Sequence, residues 1–135
     1  MSALDFLRYV VGLTGTKEGC KEGECGACSI TLDGVVVNSC LVPAAHLQGR
    51  EVGTVEGLAD DGRLSALQQA FLSHGGTQCG FCTPGMLVAG TALLAEGEPL
   101  TEERIREYMA GNLCRCTGYG KIVSALMAAA EEEKR

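Results

Sequence analysis

The chain has 135 residues, a formal net charge of −6 and eight cysteines. That length admits one or two small domains, each near the size at which a metal supplements a thin core. The acidic balance, with Lys and Arg scattered, excludes a nucleic-acid surface. No apolar run approaches the ~18 residues of a membrane span.

The first residues, "MSALDFLRYVVGLTG", carry Asp5 and Arg8 and lack a basic lead. They do not read as a signal peptide, which places the chain in the cytoplasm. Ala3 to Val11 is expected to be helical, with Leu4, Leu7 and Val11 on one face. A cysteine-rich loop follows. Ser29 to Leu32 and Val35 to Asn38 then flank Asp33-Gly34, a strong hairpin signal. Glu51 to Val55 is a third candidate strand. The first part thus reads as α+β around a small sheet.

From Leu64 the pattern turns helical. Leu64, Leu67, Phe71 and Leu72 share a face, and Gly75-Gly76 ends that helix. Thr83 is expected as an N-cap with Pro84 at the first helical position, and the helix closes near Gly97. Thr101 caps the next helix, Glu102 and Glu103 suit its positive end, and Leu100 can staple onto Ile105. A last helix starts near Gly120, and Glu131 to Arg135 is a solvated charged tail. "CTPGMLVAG" from Cys82 and "CTGYGKIVSA" from Cys116 form a weak internal repeat. Two helix pairs related by rough two-fold symmetry would bring the two Cys-Thr turns together. Their helix N-termini would offer free N–H groups to an anionic centre.

The cysteines fall into two sets of four. In the cytoplasm thiols stay reduced, so metal binding is favoured over disulfides. Cys20, Cys25 and Cys28 have C-x4-C-x2-C spacing with Cys40 beyond the loop. That is the plant-type [2Fe–2S] ferredoxin spacing. A binuclear cluster needs ligands fanned over a wider object than one ion. Gly19, Gly23 and Gly26 let backbone N–H groups approach the sulfurs. Cys79-x2-Cys82 with Cys114-x-Cys116 fits zinc or an iron–sulfur cluster equally on spacing alone.

"GLTGTKEGCKEGECGACSITLDGVVVNSC", "QCGFCTPGM" and "GNLCRCTGYGKIV" resemble the iron–sulfur subunit of the molybdenum hydroxylases. These are the xanthine dehydrogenase, aldehyde oxidoreductase and carbon monoxide dehydrogenase relatives. The resemblance runs from Leu4 to Ala130 and takes in all eight cysteines. It implies a ferredoxin-like β-grasp domain over residues 1–60 and an all-α four-helix domain with pseudo-two-fold symmetry over 61–135. It implies two [2Fe–2S] clusters, the first on Cys20, Cys25, Cys28 and Cys40, the second on Cys79, Cys82, Cys114 and Cys116. Gln78 and Cys116 match the family's positions nearest a molybdopterin cofactor on a large subunit. The first cluster would face FAD on a medium subunit, in a hetero-oligomer. Members usually begin with a β-hairpin before the first helix, and here the sequence starts at that helix. The gap implies either a shortened start or another chain filling it, with one helix face and a strand edge left open.

Other residues carry less. His46 and His74 read as surface histidines, since eight cysteines already complete two sets. Arg115, between two candidate ligands, could tune a cluster or be solvated. Asp5, Glu22 and Glu24 read as solvated. No nucleophile, paired carboxylate or phosphate loop is visible, so the chain's expected work is moving single electrons, with substrate chemistry on a partner. A free two-cluster ferredoxin and a structural zinc module with two four-cysteine sites are the alternatives. The helical set argues against the first, because a lone ferredoxin needs only the first domain.

Overall fold

The computed structural model describes residues 1–134. It is a mixture of helices and one small sheet. The N-terminal helix starts as α1 (Ala3–Asp5), capped by the Ser2 hydroxyl, which accepts the Asp5 N–H at 3.1 Å. It continues as a π-helical segment, Phe6–Val11, ending at Gly12 in the left-handed region. Hydrogen bonds five residues apart widen the turn. Leu4 and Leu7 are buried as expected, but Val11 no longer stacks beneath Leu7 and is exposed, with Tyr9 and Val10.

The hairpin forms where Asp33-Gly34 placed it. β1 (Ser29–Leu32) pairs antiparallel with β2 (Val35–Asn38), and Asp33 and Gly34 both take positive φ, which a two-residue type I′ turn requires. β3 (Val52–Gly53) pairs with β1 through Thr31 and Leu32, giving the order β2-β1-β3. It is shorter than the expected Glu51–Val55 strand. After Thr54 the chain coils into a 3-10 turn, and Val55 leaves the sheet to pack against the helical core. Ala3, Leu7, Ile30, Leu32 and Leu47 form the core beneath the sheet.

The second part carries α2 (Ala66–Ser73), α3 (Thr83–Ala95), α4 (Glu102–Tyr108) and α5 (Gly120–Glu133). Ser65 and Gln68 make a reciprocal capping box on α2. The face of α2 that packs inward carries Leu67, Ala70 and Phe71, while Leu64 and Leu72 are exposed. Thr83 does not cap α3. Cys82 occupies that position, and the Thr83 hydroxyl donates to Thr77 Oγ1 at 3.2 Å. Thr101 does cap α4, accepting the Arg104 N–H at 3.1 Å. Leu100 packs on the core that buries Ile105. α5 extends through Glu133, so most of the expected charged tail is an exposed helical turn. Arg135 lies outside the described residues. Phe71, Leu67, Met86, Leu93, Ile105, Ile122 and Leu126 are fully buried. α3 passes closely between α2 and α5 at Gly90, where a methyl group would sit 2.9 Å from Leu67 and 3.0 Å from Leu126.

The two parts meet along α3 and β1. Gly85 on α3 and Gly26 in the cysteine loop are both buried there. A methyl group on Gly85 would overlap the Gly26 carbonyl oxygen, and one on Gly26 would overlap that of Gly111. The contact therefore admits glycine alone at both positions.

Candidate metal centres

The loop from Cys20 to Cys28 is wound so that its N–H groups point at sulfur. Glu22, Glu24 and Cys25 N–H groups lie 3.4, 3.3 and 3.4 Å from Cys20 Sγ. Those of Cys20 and Ala27 lie 3.4 and 3.4 Å from Cys25 Sγ. Lys21, Gly23 and Gly26 take positive φ, which turns successive N–H groups inward. Gly19 is required at its place, since a methyl there would come within 2.7 Å of Cys25 Sγ. The donors hold the Cys20 thiol down to about 7, with the Glu22 N–H first, then Cys25 and Glu24. Cys40 arrives from the turn after β2, where the Gly23 N–H acts to lower its thiol. Burial and the neighbouring Cys28 thiol nevertheless push it up to about 11.

The second set sits where the turn before α3 meets the turn before α5. Phe81 N–H lies 3.5 Å from Cys79 Sγ, and the Cys79 N–H acts to lower the Cys116 thiol. Cys79 and Cys116 are exposed, whereas Cys114 is buried. Burial and the Cys114 thiol push Cys82 up to about 12. Burial also acts against a Cys114 thiolate, but the Thr117 hydroxyl and N–H, at 3.1 and 3.5 Å, outweigh it and lower this thiol. The Cys79 thiol pushes Cys116 up.

Within each set the thiols influence one another's acidity in twos. Cys20 interacts with Cys25, Cys28 with Cys40, Cys79 with Cys116 and Cys82 with Cys114. The pairs of one set sense each other at longer range: Cys40 feels Cys20, Cys82 feels Cys79, and Cys116 feels Cys114. Among the described residues no three ligating side chains converge on a single ion position. A binuclear centre takes two thiolates at each of its two irons. The inward N–H groups suit thiolates that share the negative charge of an iron–sulfur centre. The donor set thus fits [2Fe–2S] at both places.

The other sequence candidates fall as follows. Gln78 is exposed and directly precedes Cys79. Arg115 is exposed and lines a shallow depression with Cys79, Phe81, Leu113 and Tyr119. His46 and His74 are both exposed. Glu22 and Glu24 are exposed, while Asp5 is half-buried and 3.7 Å from Lys21 Nζ.

Sequence reasoning missed Asn112 and Tyr119, and took Thr117 only as part of the repeat. Asn112 is buried, and its amide donates to Gly26 O and Ser29 Oγ, both at 3.1 Å. The next residue, Leu113, donates its N–H to Cys25 O at 2.9 Å. One hydrogen bond therefore joins the ligand loop of the first set to the residue before Cys114. Tyr119 sits in the left-handed region at the start of α5, and its hydroxyl accepts the Cys114 N–H at 3.0 Å. The only sequence signal for Asn112 was an amide placed between Gly111 and Leu113, just ahead of two cysteines.

Known iron–sulfur proteins resemble this chain over most of its length. The family model described as "[2Fe-2S] binding domain" matches residues 54–127. The chain is 50% identical to the nicotinate dehydrogenase small FeS subunit of Eubacterium barkeri, covering 95% of this chain and 82% of that one. It is 52% identical to the xanthine dehydrogenase iron-sulfur-binding subunit of Escherichia coli O157:H7, covering 86% and 74%. The crystal structure of quinoline 2-oxidoreductase from Pseudomonas putida 86 superposes with a TM-score of 0.95 at 49% identity, over 100% of this chain and 85% of that one. The aldehyde oxidoreductase of Desulfovibrio desulfuricans ATCC 27774 superposes with a TM-score of 0.95 at 41% identity. It matches 99% of this chain and 15% of its own length.

Proposed function

We propose, on the premise that this chain belongs to the iron–sulfur subunits of the molybdenum hydroxylases and is an oxidoreductase subunit, that it is the two-cluster electron relay of its complex. When bound, each [2Fe–2S] cluster supplies a one-electron couple, together linking a molybdopterin centre on a large subunit to FAD on a medium subunit. Cys20, Cys25, Cys28 and Cys40 hold the first cluster, and Cys79, Cys82, Cys114 and Cys116 the second. Gln78 and Cys116 face the molybdopterin subunit. The chain works as part of a cytoplasmic hetero-oligomer.

The fold reading follows the same line. Residues 1–60 form a ferredoxin-like β-grasp unit, and residues 61–135 an approximately two-fold symmetric four-helix unit. Val55 and Leu58, near that boundary, already pack on the helical core, so the connection itself helps dock the two units. The protein's own part in the relay is positional. Backbone N–H groups stabilise anionic sulfur, and Asn112, Leu113, Gly26 and Gly85 hold the two ligand regions in register. A buried polar bridge and two methyl-free contacts leave little room for one region to shift against the other.

The observation that carries this reading is the fan of backbone N–H groups on the Cys20 and Cys25 sulfurs, alongside thiols that act on one another in twos in both sets. A four-thiolate zinc site is a tetrahedron around one ion, whereas [2Fe–2S] takes two thiolates at each of two irons. The test is composition and colour. The purified chain is expected to hold four irons and four acid-labile sulfides, to be red-brown, and to show two paramagnetic signals on reduction. It should exchange electrons with artificial carriers and turn over no organic substrate by itself. One colourless zinc per set would overturn the reading. Native purification as a lone chain, without pterin or flavin subunits, would return it to a free ferredoxin.

A further inference from the structure

Thr117 shares its Cys-Thr turn with Thr83 in the chain repeat, yet the two hydroxyls do different things. Thr83 Oγ1 donates to Thr77 Oγ1 at 3.2 Å and touches no sulfur. Thr117 Oγ1 lies 3.1 Å from Cys114 Sγ and accepts the Tyr119 N–H at 3.1 Å. Tyr119, held in the left-handed region, returns its own hydroxyl to accept the Cys114 N–H at 3.0 Å. The three residues thus close a hydrogen-bonded ring around Cys114. The direction of the ring is set by proton count. A serine or threonine hydroxyl has one proton to give, and a metal-ligating cysteine sulfur is a thiolate with none. Thr117 must therefore donate to Cys114. Among the described residues it is the one side-chain hydroxyl that donates to a cysteine sulfur.

From this we infer that Thr117 is a positioning residue that raises the reduction potential of the second cluster by donating its hydroxyl proton to Cys114 Sγ. The inference rests on the two-cluster reading above. Reduction adds one electron, part of whose charge spreads onto the ligand sulfurs. A donor already aimed at one of them stabilises the reduced form more than the oxidised form. Cys114 is where such a donor counts most. Its sulfur is buried, away from the water that reaches Cys79 and Cys116, so a fixed dipole is little screened. Tyr119 supports the arrangement from both sides, since its N–H orients the Thr117 hydroxyl and its own hydroxyl holds the Cys114 backbone.

The test uses the full protein purified in its native, iron–sulfur-loaded form. Both midpoint potentials are read by redox titration with electron paramagnetic resonance. Thr117→Val is expected to make the second cluster harder to reduce by about tenfold in the equilibrium constant, about 59 mV for a one-electron couple. The first cluster should stay unmoved. Thr117→Ala, which removes the hydroxyl with a different shape, must move the same midpoint the same way, and Thr117→Ser must restore it. Thr83→Val must leave it in place. A deuterium-oxide shift in the iron–sulfur stretching bands should shrink in Thr117→Val and return in Thr117→Ser. Two intact signals with unmoved midpoints in Thr117→Val and Thr117→Ala would overturn this inference alone. No iron–sulfur signal in the unaltered protein would overturn the functional reading and this inference with it.

Discussion

Replacing Gly85 by alanine tests whether the two ligand regions are held in register by close backbone contact. The new methyl would meet the Gly26 carbonyl oxygen inside contact distance, with Asn112 Nδ2 at 3.3 Å beside it. Backbone cannot swing aside as a flexible side chain would. The Gly26 oxygen is also tied down, accepting Ser29 N–H at 3.1 Å, the Ser29 hydroxyl at 2.7 Å and Asn112 at 3.1 Å. Overpacking of this kind costs about 1–3 kcal/mol, and each hydrogen bond that must stretch adds about 0.5–1.5 kcal/mol. Alanine in place of glycine within a helix returns about 0.5–1 kcal/mol. The net loss is about 2–4 kcal/mol, a large share of the roughly 5–15 kcal/mol of a natural domain. At about 2 kcal/mol per molar urea, the middle of the usual range, the midpoint of cluster bleaching in a urea titration should fall by about 1–2 M. Gly120→Ala is the matched control. It opens α5, and a methyl there has no neighbour within 4 Å, so it should hold or raise the midpoint. Equal midpoints for the two variants would refute the reasoning, as would an unchanged Leu113 N–H exchange rate in Gly85→Ala.

Two further outcomes follow from the site. In the whole complex, Cys116→Ser should perturb one paramagnetic signal and slow electron arrival from the molybdenum centre. Cys25→Ser should perturb the other signal, and slowed arrival from Cys25→Ser with Cys116→Ser silent would reverse the assigned route. In the chain stripped of iron, iodoacetamide at about pH 8 should modify Cys20 first, because its thiol is held near 7 and is then mostly thiolate. Cys40 and Cys82, near 11 and 12, stay protonated there and should react last. Lowering the pH through 7 protonates Cys20 and should suppress its labelling, and equal rates at all three sites would contradict this picture.

The parts of the fold that rest on local chemistry were legible in the sequence. Asp33-Gly34 set the hairpin register because both residues tolerate positive φ. Thr101 capped its helix for the reason any threonine does, by offering an oxygen to the N–H three residues on. What failed depended on distant neighbours. Thr83 had the same local credentials as Thr101, but Thr77 lies within reach of its hydroxyl. Val55 had a strand's character, but a helical core lay nearer than the sheet. The π-helical turn after Asp5 leaves no mark on a pattern read at 3.6 residues per turn.

The site divides along the same line, and the division explains why spacing alone left the second set open between zinc and iron–sulfur. Spacing says which sulfurs can share a place. It does not say which sulfur faces which. Cys79 and Cys82 are near neighbours in the chain, yet the thiol that acts most on Cys82 is Cys114, across the turn, and the one that acts most on Cys116 is Cys79. That crossing follows from α3 and α5 bringing their starts together. One consequence is asymmetric. The outer pair is exposed, and its Cys79 sulfur receives the Phe81 N–H. The inner pair is less exposed and holds the Thr117 hydroxyl on Cys114. Solvent stabilises charge on the outer pair and a fixed dipole does so on the inner one, so the two ends of one four-cysteine set answer to different changes. Ionic strength should act on the outer end, and substitution at Thr117 on the inner.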